Sequence, residues 1–406
     1  MFRYISQKMR ILQTARWFFP HVGGASIRVY QTARNLIKFG HEVHLLVHNP
    51  KSIEQCNLEQ DAPSYEEYEG IHVYRLPYFG PNPLYWGLSI PLMAKRAIDI
   101  IKKQKIDVIL SHNPPYLVGT SSWIASKFTG VPFVLNVHDV WGASHYRKHE
   151  YLVGKYLERF CCKRAKRIIT VSEGLTDILS KEMGIEKEII RAAPNAVDYE
   201  KFRPEKIRSE QLRREYNLSG KKVVFFVGIL RKWAGVQFLI KAFPEVLEKV
   251  PNSRLLIVGD GGDRRYLENL AREVDIDEQT IFTGPVPYED VPSLINLADV
   301  CVAPFPSSKV TDQRKLISPH KVLEYMCIGK PVVASRVGGM ERYVRDGKTG
   351  LLFEPENVKD LADKIIILLR NRNLREAFGE RGKKIVTREH TWEITARIIE
   401  KMLKEK

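Results

Sequence analysis

Short runs of apolar and β-branched residues recur along the chain at 9–15, 41–47, 71–76, 107–110, 132–138 and 167–172, and again at 222–230, 253–259, 280–284, 299–304 and 330–335. They are apolar on both faces, as in strands buried within a parallel sheet, not alternating as in half-exposed strands. Several intervening segments carry helical spacing, at 26–39, 152–165, 236–250, 266–273 and 358–371. Strand and helix alternate, and the series then starts again. The pattern predicts an α/β chain of two Rossmann-like, doubly wound domains facing each other across a cleft.

The boundary falls in the polar, charged stretch 194–222, which holds Pro204 and a helix-like segment at 210–216; we place it after residue 205. The second domain then covers 206–388. Residues 389–406 read as one more amphipathic helix, expected to pack back towards the first domain. The length agrees, since 406 residues exceed what one core usually supports. Neither a short internal repeat nor a low-complexity segment breaks the pattern.

Composition narrows the class. With 44% hydrophobic and 28% charged residues, the chain reads as a folded, water-soluble protein. No apolar run approaches the roughly 20 residues needed to span a bilayer. Residues 1–8 are polar and mixed, unlike a signal peptide. The five cysteines (Cys56, Cys161, Cys162, Cys301 and Cys327) are scattered without metal-ligand spacing and suit reduced thiols. A cytoplasmic protein is expected, with peripheral contact at the inner face of the membrane as an option. The net charge of +16 points to an anionic partner, whether a phosphate-bearing substrate, a membrane surface or nucleic acid. Because the excess is spread along the chain, much of it reads as solvated surface.

Ligands of open parallel sheets bind beyond the carboxyl ends of the strands, so the residues just after each strand are the candidates. The first junction reads Phe18-Phe19-Pro20-His21-Val22-Gly23-Gly24-Ala25-Ser26. Gly23 and Gly24 would let backbone N–H groups approach a phosphate at a helix start, where the dipole adds roughly 0.3–1 kcal/mol. The same pair also reads as a plain turn; there is no GxGxxG fingerprint and no Walker lysine. His138 follows the strand at 132–137 and titrates near neutrality, which suits a ligand contact or a histidine satisfied within the fold. His112-Asn113 holds the matching position one strand earlier and is the weaker candidate.

In the second half, Arg231 and Lys232 stand in the Gly-bounded loop Val227-Gly228-Ile229-Leu230-Arg231-Lys232-Trp233-Ala234-Gly235. Adjacent cations there suit a pyrophosphate, or else form an exposed charged turn. Gly261 lies in Val258-Gly259-Asp260-Gly261-Gly262-Asp263, superficially a DxD metal motif. Its glycines point instead to a tight turn beside a nucleotide, since hard cations want several convergent oxygens. No metal and no cofactor are expected. Ser318, His320, Lys321 and Glu324 lie around a helix start marked by Pro319, with Lys321 and Glu324 about one turn apart on one face. A surface ion pair is the plain alternative, but Glu324 sits among Val322, Leu323, Tyr325 and Met326, where a lone carboxylate is costly without a partner. Finally, Lys148, Lys155, Arg159, Lys163, Arg164 and Lys166, interleaved with Tyr151, Leu152, Tyr156 and Phe160, suit a helix touching anionic lipid or an internal helix with a basic outer face.

Taken together, these residues resemble the retaining glycosyltransferases of family four, which have the GT-B fold, over nearly the whole chain. Pro20-His21-Val22-Gly23-Gly24 is similar to the family's "P..GG" loop, and Gly40-His41-Glu42-Val43 to the lead-in of its second strand. Val137-His138-Asp139 resembles the strand end whose histidine meets the transferred sugar. Thr170-Val171-Ser172-Glu173 and Pro194-Asn195-Ala196-Val197-Asp198 resemble its "VS" and "PNGVD" marks, with Ala196 for the usual glycine. Residues 284–303, 318–333 and 337–347 resemble its "G.v…aDv.v.P", "SP.K..EYMA.G.PVV" and "vGG..E.v.dG" stretches. Two further departures touch charge. Glu324 matches the second of a common glutamate pair, while Leu316 stands at the first. In the "GRL…KG" loop, Ile229 replaces the arginine and Ala234 the lysine, as in a subgroup reading "G.lR.WhGV" that places Arg231 two residues further on.

The resemblance implies a hexosyltransferase-like enzyme moving a sugar from a UDP-, GDP- or ADP-linked donor to a glycan, lipid-linked or polysaccharide acceptor, with retention. Glu324 would accept from the ribose hydroxyls. Arg231, Lys232 and Lys321 would oppose the diphosphate charge in place of a metal, joined by the Gly23 and Gly24 amides. His138 would hold the sugar. Gly261, Ser318 and His320 complete the donor-binding candidates. Aromatics around 78–86 in the basic first half suit a lipid-linked or polysaccharide acceptor. A nucleotide-sugar epimerase on the same scaffold is the alternative enzyme, and would consume donor without acceptor. A nucleic-acid-binding module would show steep salt dependence, but the diffuse charge and lack of an aromatic–basic platform argue for no nucleic-acid partner.

Overall fold

Both series of apolar runs form sheets. In the computed structural model β1 (Arg10–Thr14), β2 (Glu42–His48), β3 (Tyr65–Tyr68), β4 (Ile71–Leu76), β5 (Val108–His112), β6 (Phe133–Val137), β7 (Arg167–Thr170) and β8 (Ile190–Ala192) make one sheet, in the order β3-β4-β2-β1-β5-β6-β7-β8. Every neighbour is parallel except β3, which runs antiparallel to β4. A second, wholly parallel sheet holds β9 (Lys222–Val227), β10 (Ser253–Val258), β11 (Thr280–Phe282), β12 (Val300–Ala303), β13 (Val332–Ser335) and β14 (Gly350–Phe353), in the order β11-β10-β9-β12-β13-β14. The structure describes residues 8–20, 23–49, 62–77, 83–112, 115–139, 148–203, 210–307 and 318–405. His21, Cys56, Asn113, Leu316 and the aromatic stretch at 78–82 lie outside the described residues.

The continuous apolar runs are explained by helices on both faces of each sheet. Along β9, Val224 and Phe226 join one core cluster with Leu239, Phe243 and Ile365, while Val223 and Phe225 join another with Leu323, Tyr325 and Met326. Alternate residues thus enter different cores, and all four are fully buried. β1 likewise directs Ile11 into a cluster with Val29, Ala33 and Leu36 of the helix Gly24–Lys38.

Two compact units result: Met1–Asn195 with Trp392–Lys406, and Ala196–Thr391. The division comes ahead of position 205, where composition changes, and the helix Trp392–Lys404 groups with the first unit. There Ile399, Met402 and Leu403 enter the core of the first sheet. Strand order reverses between β1 and β5 and between β9 and β12, the two places where an open parallel sheet leaves a crevice at its carboxyl edge. β3, β8 and β14 carried no signal in the pattern; they are short and stand at sheet edges. The apolar run 222–230 stops being a strand at Val227 because Gly228 turns at φ +148°.

Candidate active site

At the carboxyl edge of the second sheet, three loops are laced together. Gly228 N–H donates to Val258 O (3.0 Å), Leu230 N–H to Asp260 O (2.9 Å), Asp263 N–H to Leu230 O (3.1 Å) and Gly259 N–H to Gly284 O (3.0 Å). Such lacing requires positions without side chains. A Cβ on Gly261 would lie 2.3 Å from Leu230 O, and one on Gly235 (φ +78°) only 1.6 Å from Pro304 O. Gly261 therefore lets the loop after β10 close on the loop after β9. The Arg231 guanidinium lies over the neighbouring Gly262, 2.3 Å from where a Cβ would stand. Lys232 opens a short turn, Lys232–Ala234, and its N–H donates to Asp263 Oδ2 at 2.8 Å. Asp260 Oδ1 accepts from Gly261 N–H, also at 2.8 Å. Both aspartates of the DxD-like segment are thus engaged by loop backbone.

The helix His320–Ile328 starts at this same edge, with Pro319 as its N-cap. Ser318 and His320 are half-buried, and Tyr343 donates its hydroxyl to Ser318 Oγ at 3.4 Å. Lys321 reaches back over the loop after β9. Its Nζ lies 4.0 Å from the Phe226 ring centroid and 5.2 Å from that of Phe305, and covers Gly228. Although Lys321 as a whole is half-buried, enclosure of its ammonium pushes its pKa down to about 7, with Glu324 acting in the opposite sense.

One turn on, Glu324 is buried (6% exposed), and its Oε1 accepts from the Tyr288 hydroxyl at 2.9 Å. Burial pushes the Glu324 carboxyl up to about 7, opposed by that hydrogen bond and then by Lys321 and Lys201. Burial and the nearby Glu324 hold the Tyr288 phenol well above its ordinary value, so it remains a donor. Lys201 Nζ lies 4.1 Å over the Tyr288 ring and pairs with Glu289 at 3.1 Å. The carboxylate that looked stranded in an apolar stripe thus has a partner. Tyr288 was not legible in the sequence, because it sits in an irregular loop between Pro287 and Glu289 with no periodicity to mark it.

In the first unit, Gly23 is the N-cap of the helix Gly24–Lys38, with no side-chain cap and no acidic residue in the first turn. His138 follows β6 and is half-buried. His112, weighed as a ligand contact, is instead buried at 1% exposure. Its Nδ1 lies 3.2 Å from His138 Nε2, and its Nε2 lies 2.9 Å from Gln13 Oε1. Burial, with Arg28 nearby, pushes His112 down to about 3, so it stays neutral.

Among the described residues, one group of side chains has a geometry that could suit a cation: Glu42, His44 and His72, near the amino ends of β2 and β4. Glu42 Oε1 is 3.0 Å from His44 Nε2, while its other oxygen faces Lys8 at 3.8 Å and Arg10 at 3.6 Å. Two cations already balance this carboxylate, and the group lies at the sheet edge opposite His138.

The sequence model for glycosyltransferase family 4 matches residues 22–201, and that for glycosyl transferases group 1 matches residues 208–385. Between them they span both units in chain order. The chain is a glycosyltransferase of family four. It is 26% identical to a glycosyltransferase of Methanocaldococcus jannaschii, over 94% of each chain. It is 25% identical to the D-inositol 3-phosphate glycosyltransferase of Corynebacterium aurimucosum, over 88% of this chain and 85% of that one. In fold it matches HepE of Anabaena, crystallised with UDP and glucose, with a TM-score of 0.75 and 20% identity over 98% of this chain and all of the other. The architecture is that of the GT-B glycosyltransferases.

Within this glycosyltransferase the departures from the family pattern have structural consequences. Ile229 is 51% exposed and Trp233 56%, so an apolar pair flanks Arg231 and Lys232. Ala234 is fully buried in the core, where a lysine would carry its charge into apolar surroundings. No helix of the described residues is long and apolar enough to cross a membrane.

Proposed function

We propose that this glycosyltransferase takes a sugar from a UDP-, GDP- or ADP-linked donor and passes it to a glycan, lipid-linked or polysaccharide acceptor, with retention of configuration and without a metal. The observation that carries the reading is the placement of Lys321 and Glu324 one turn apart on the helix that starts beside the loop at 228–235, each with its charged group enclosed. A cation and a carboxylate that burial makes costly to charge become favourable once a diphosphate faces one and ribose hydroxyls face the other. Arg231 and Lys232 add cations at the same edge. Fixed positive groups stabilise a leaving diphosphate most as its charge develops. Gly23 and Gly24 contribute amides at a helix start, and His138 holds the sugar. HepE, which shares the fold, was crystallised with UDP and glucose, which supports a donor of this class.

A thermal-shift screen against UDP-, GDP- and ADP-linked sugars tests the reading. One nucleotide class is expected to raise the melting temperature, and to do so equally in EDTA. Absence of a shift with all three, or a shift abolished by EDTA and restored by magnesium, would overturn it.

The acceptor side is read as meeting an anionic membrane surface. Tyr156 (70% exposed) and Phe128 (75% exposed) accompany exposed Lys127, Lys155, Lys163, Arg164 and Lys166. Exposed aromatics among cations suit a lipid headgroup layer. Binding to phosphatidylglycerol vesicles, absent with phosphatidylcholine, is the expected result.

A further inference from the structure

The polar groups at the reversal of strand order in the first sheet form a directed chain. Gln13 stands near the carboxyl end of β1, His112 ends β5, and His138 follows β6. Gln13 and His112 are almost wholly enclosed, at 0% and 1% exposure. With Gln13 Oε1 as the acceptor 2.9 Å away, and the Gln13 amide nitrogen buried without a hydrogen-bond partner, His112 Nε2 carries the hydrogen. The charged group facing His112 is Arg28, whose guanidinium is bonded to Asn136 Oδ1, Asn195 Oδ1 and Ala193 O. A second proton on His112 would place like charges together in a buried site, so its ring is neutral and its Nδ1 is an acceptor. The partner at 3.2 Å, His138 Nε2, is consequently the donor.

We propose that His112 and Gln13 are positioning residues for the transfer reaction. They fix His138 as the Nε2–H tautomer and set the plane of its ring. The inference rests on the reading that His138 meets the transferred sugar, and adds that two buried side chains, neither touching substrate, decide the tautomer and ring plane in which it does so. A buried acceptor that holds a histidine in one tautomer supports catalysis through geometry alone, and the wrong tautomer removes activity while the fold persists. Nothing in the apolar run at 107–110 marks His112 for this role, because it depends on β5 and β6 being neighbours.

The test uses the full chain with two substitutions of His112. Asparagine places an oxygen acceptor close to the position of Nδ1, whereas leucine removes it. With His112→Leu, kcat is expected to fall about 100-fold, with little change in the donor KM and in nucleotide affinity, and its pH profile should shift as His138 loses its fixed partner. His112→Asn should recover most of kcat and the original profile. Equal losses in both variants, with melting temperatures kept, would assign His112 to packing and overturn the proposal. So would an unchanged kcat and profile in His112→Leu. If either variant fails to fold, Gln13→Leu, at the far end of the chain, should reproduce the kcat loss and profile shift of His112→Leu, and wild-type behaviour there counts against the proposal. Independently of activity, the imidazole nitrogens of 15N-histidine-labelled wild-type protein should report His138 as Nε2–H. The Nδ1–H form would overturn the proposal outright. The expected tautomer with a His138→Ala variant of unchanged turnover would instead reject the role of His138 in transfer, which separates the two failures.

Discussion

Lys321 and Glu324 lie three residues apart on one helix, and burial moves their pKa values towards each other, both to about 7. A diphosphate beside Lys321 favours the ammonium and raises its pKa on binding. Affinity is then fully present below about pH 7 and is lost as pH rises above it. Ribose hydroxyls beside Glu324 favour the carboxylate and lower its pKa, so that contribution is lost as pH falls below about 7. Nucleotide affinity is therefore expected to peak near neutrality and to fall by up to about tenfold per pH unit on either side. Calorimetric titration across pH 5–9 checks this, and Glu324→Gln should flatten the acid limb alone. Arg231→Ala and Lys321→Ala should each weaken nucleotide-sugar binding by more than about tenfold, as expected for charge-assisted contacts of about 1.5–3 kcal/mol. Lys166→Ala, an exposed control in the first unit, should not; equal effects in all three would sink the phosphate assignment. Lys321 and Glu324 were visible in sequence from their spacing. Tyr288 was not, and His112 was visible only as a weaker ligand contact, since each acts through a partner 36 or 26 positions away.

At the scale of elements, the site edge is built by loops that approach one another more closely than side chains allow. Gly235 sits in left-handed backbone with its missing Cβ 1.6 Å from Pro304 O, tying the loop after β9 to the segment after β12. Gly235→Ala cannot be absorbed by rotating a side chain, because the obstacle is backbone. It is expected to destabilise the protein by about 2 kcal/mol or more, as strain and overpacking do, and to weaken nucleotide binding in parallel. Denaturant unfolding with nucleotide titration checks both. The glycines could be read from the sequence as turns, but which loops they bring together could not, since that depends on strand order. The run 222–230 shows the same limit, with three apolar-looking positions lost from the strand once Gly228 turns back towards Val258.

For the whole molecule, the consequential element is the last helix. Trp392–Lys404 belongs to the first unit, so the chain passes from the first unit to the second and back again. Ile399, Met402 and Leu403 are buried there, at 0%, 3% and 8% exposure. Each is worth about 1.5–3 kcal/mol of burial, and together they rival the roughly 5–15 kcal/mol that holds a domain folded. His41 adds a buried bond. Its Nδ1 accepts from Met9 N–H at 3.1 Å, leaving Nε2 to donate to Glu400 Oε1 at 3.0 Å. A chain ending at residue 391 should therefore melt at a lower temperature specifically in its first unit, with the second unit retaining its nucleotide affinity. Hydrogen exchange resolved by unit would show the difference, and uniform protection would contradict it.

By itself the sequence determined the two-sheet plan, the parallel sense of the strands it marked, the family and the main candidate residues. All of these follow from local periodicity and from short motifs whose spacing survives in the chain. Only the tertiary structure decided which of those residues are neighbours. Gln13, His112 and His138 come from three strands that the sheet sets side by side, and Glu324 meets Tyr288 across a loop without pattern. Hydrophobic periodicity records which face of an element is buried, but not against what, and the partner of a buried polar group is fixed by strand order and close packing.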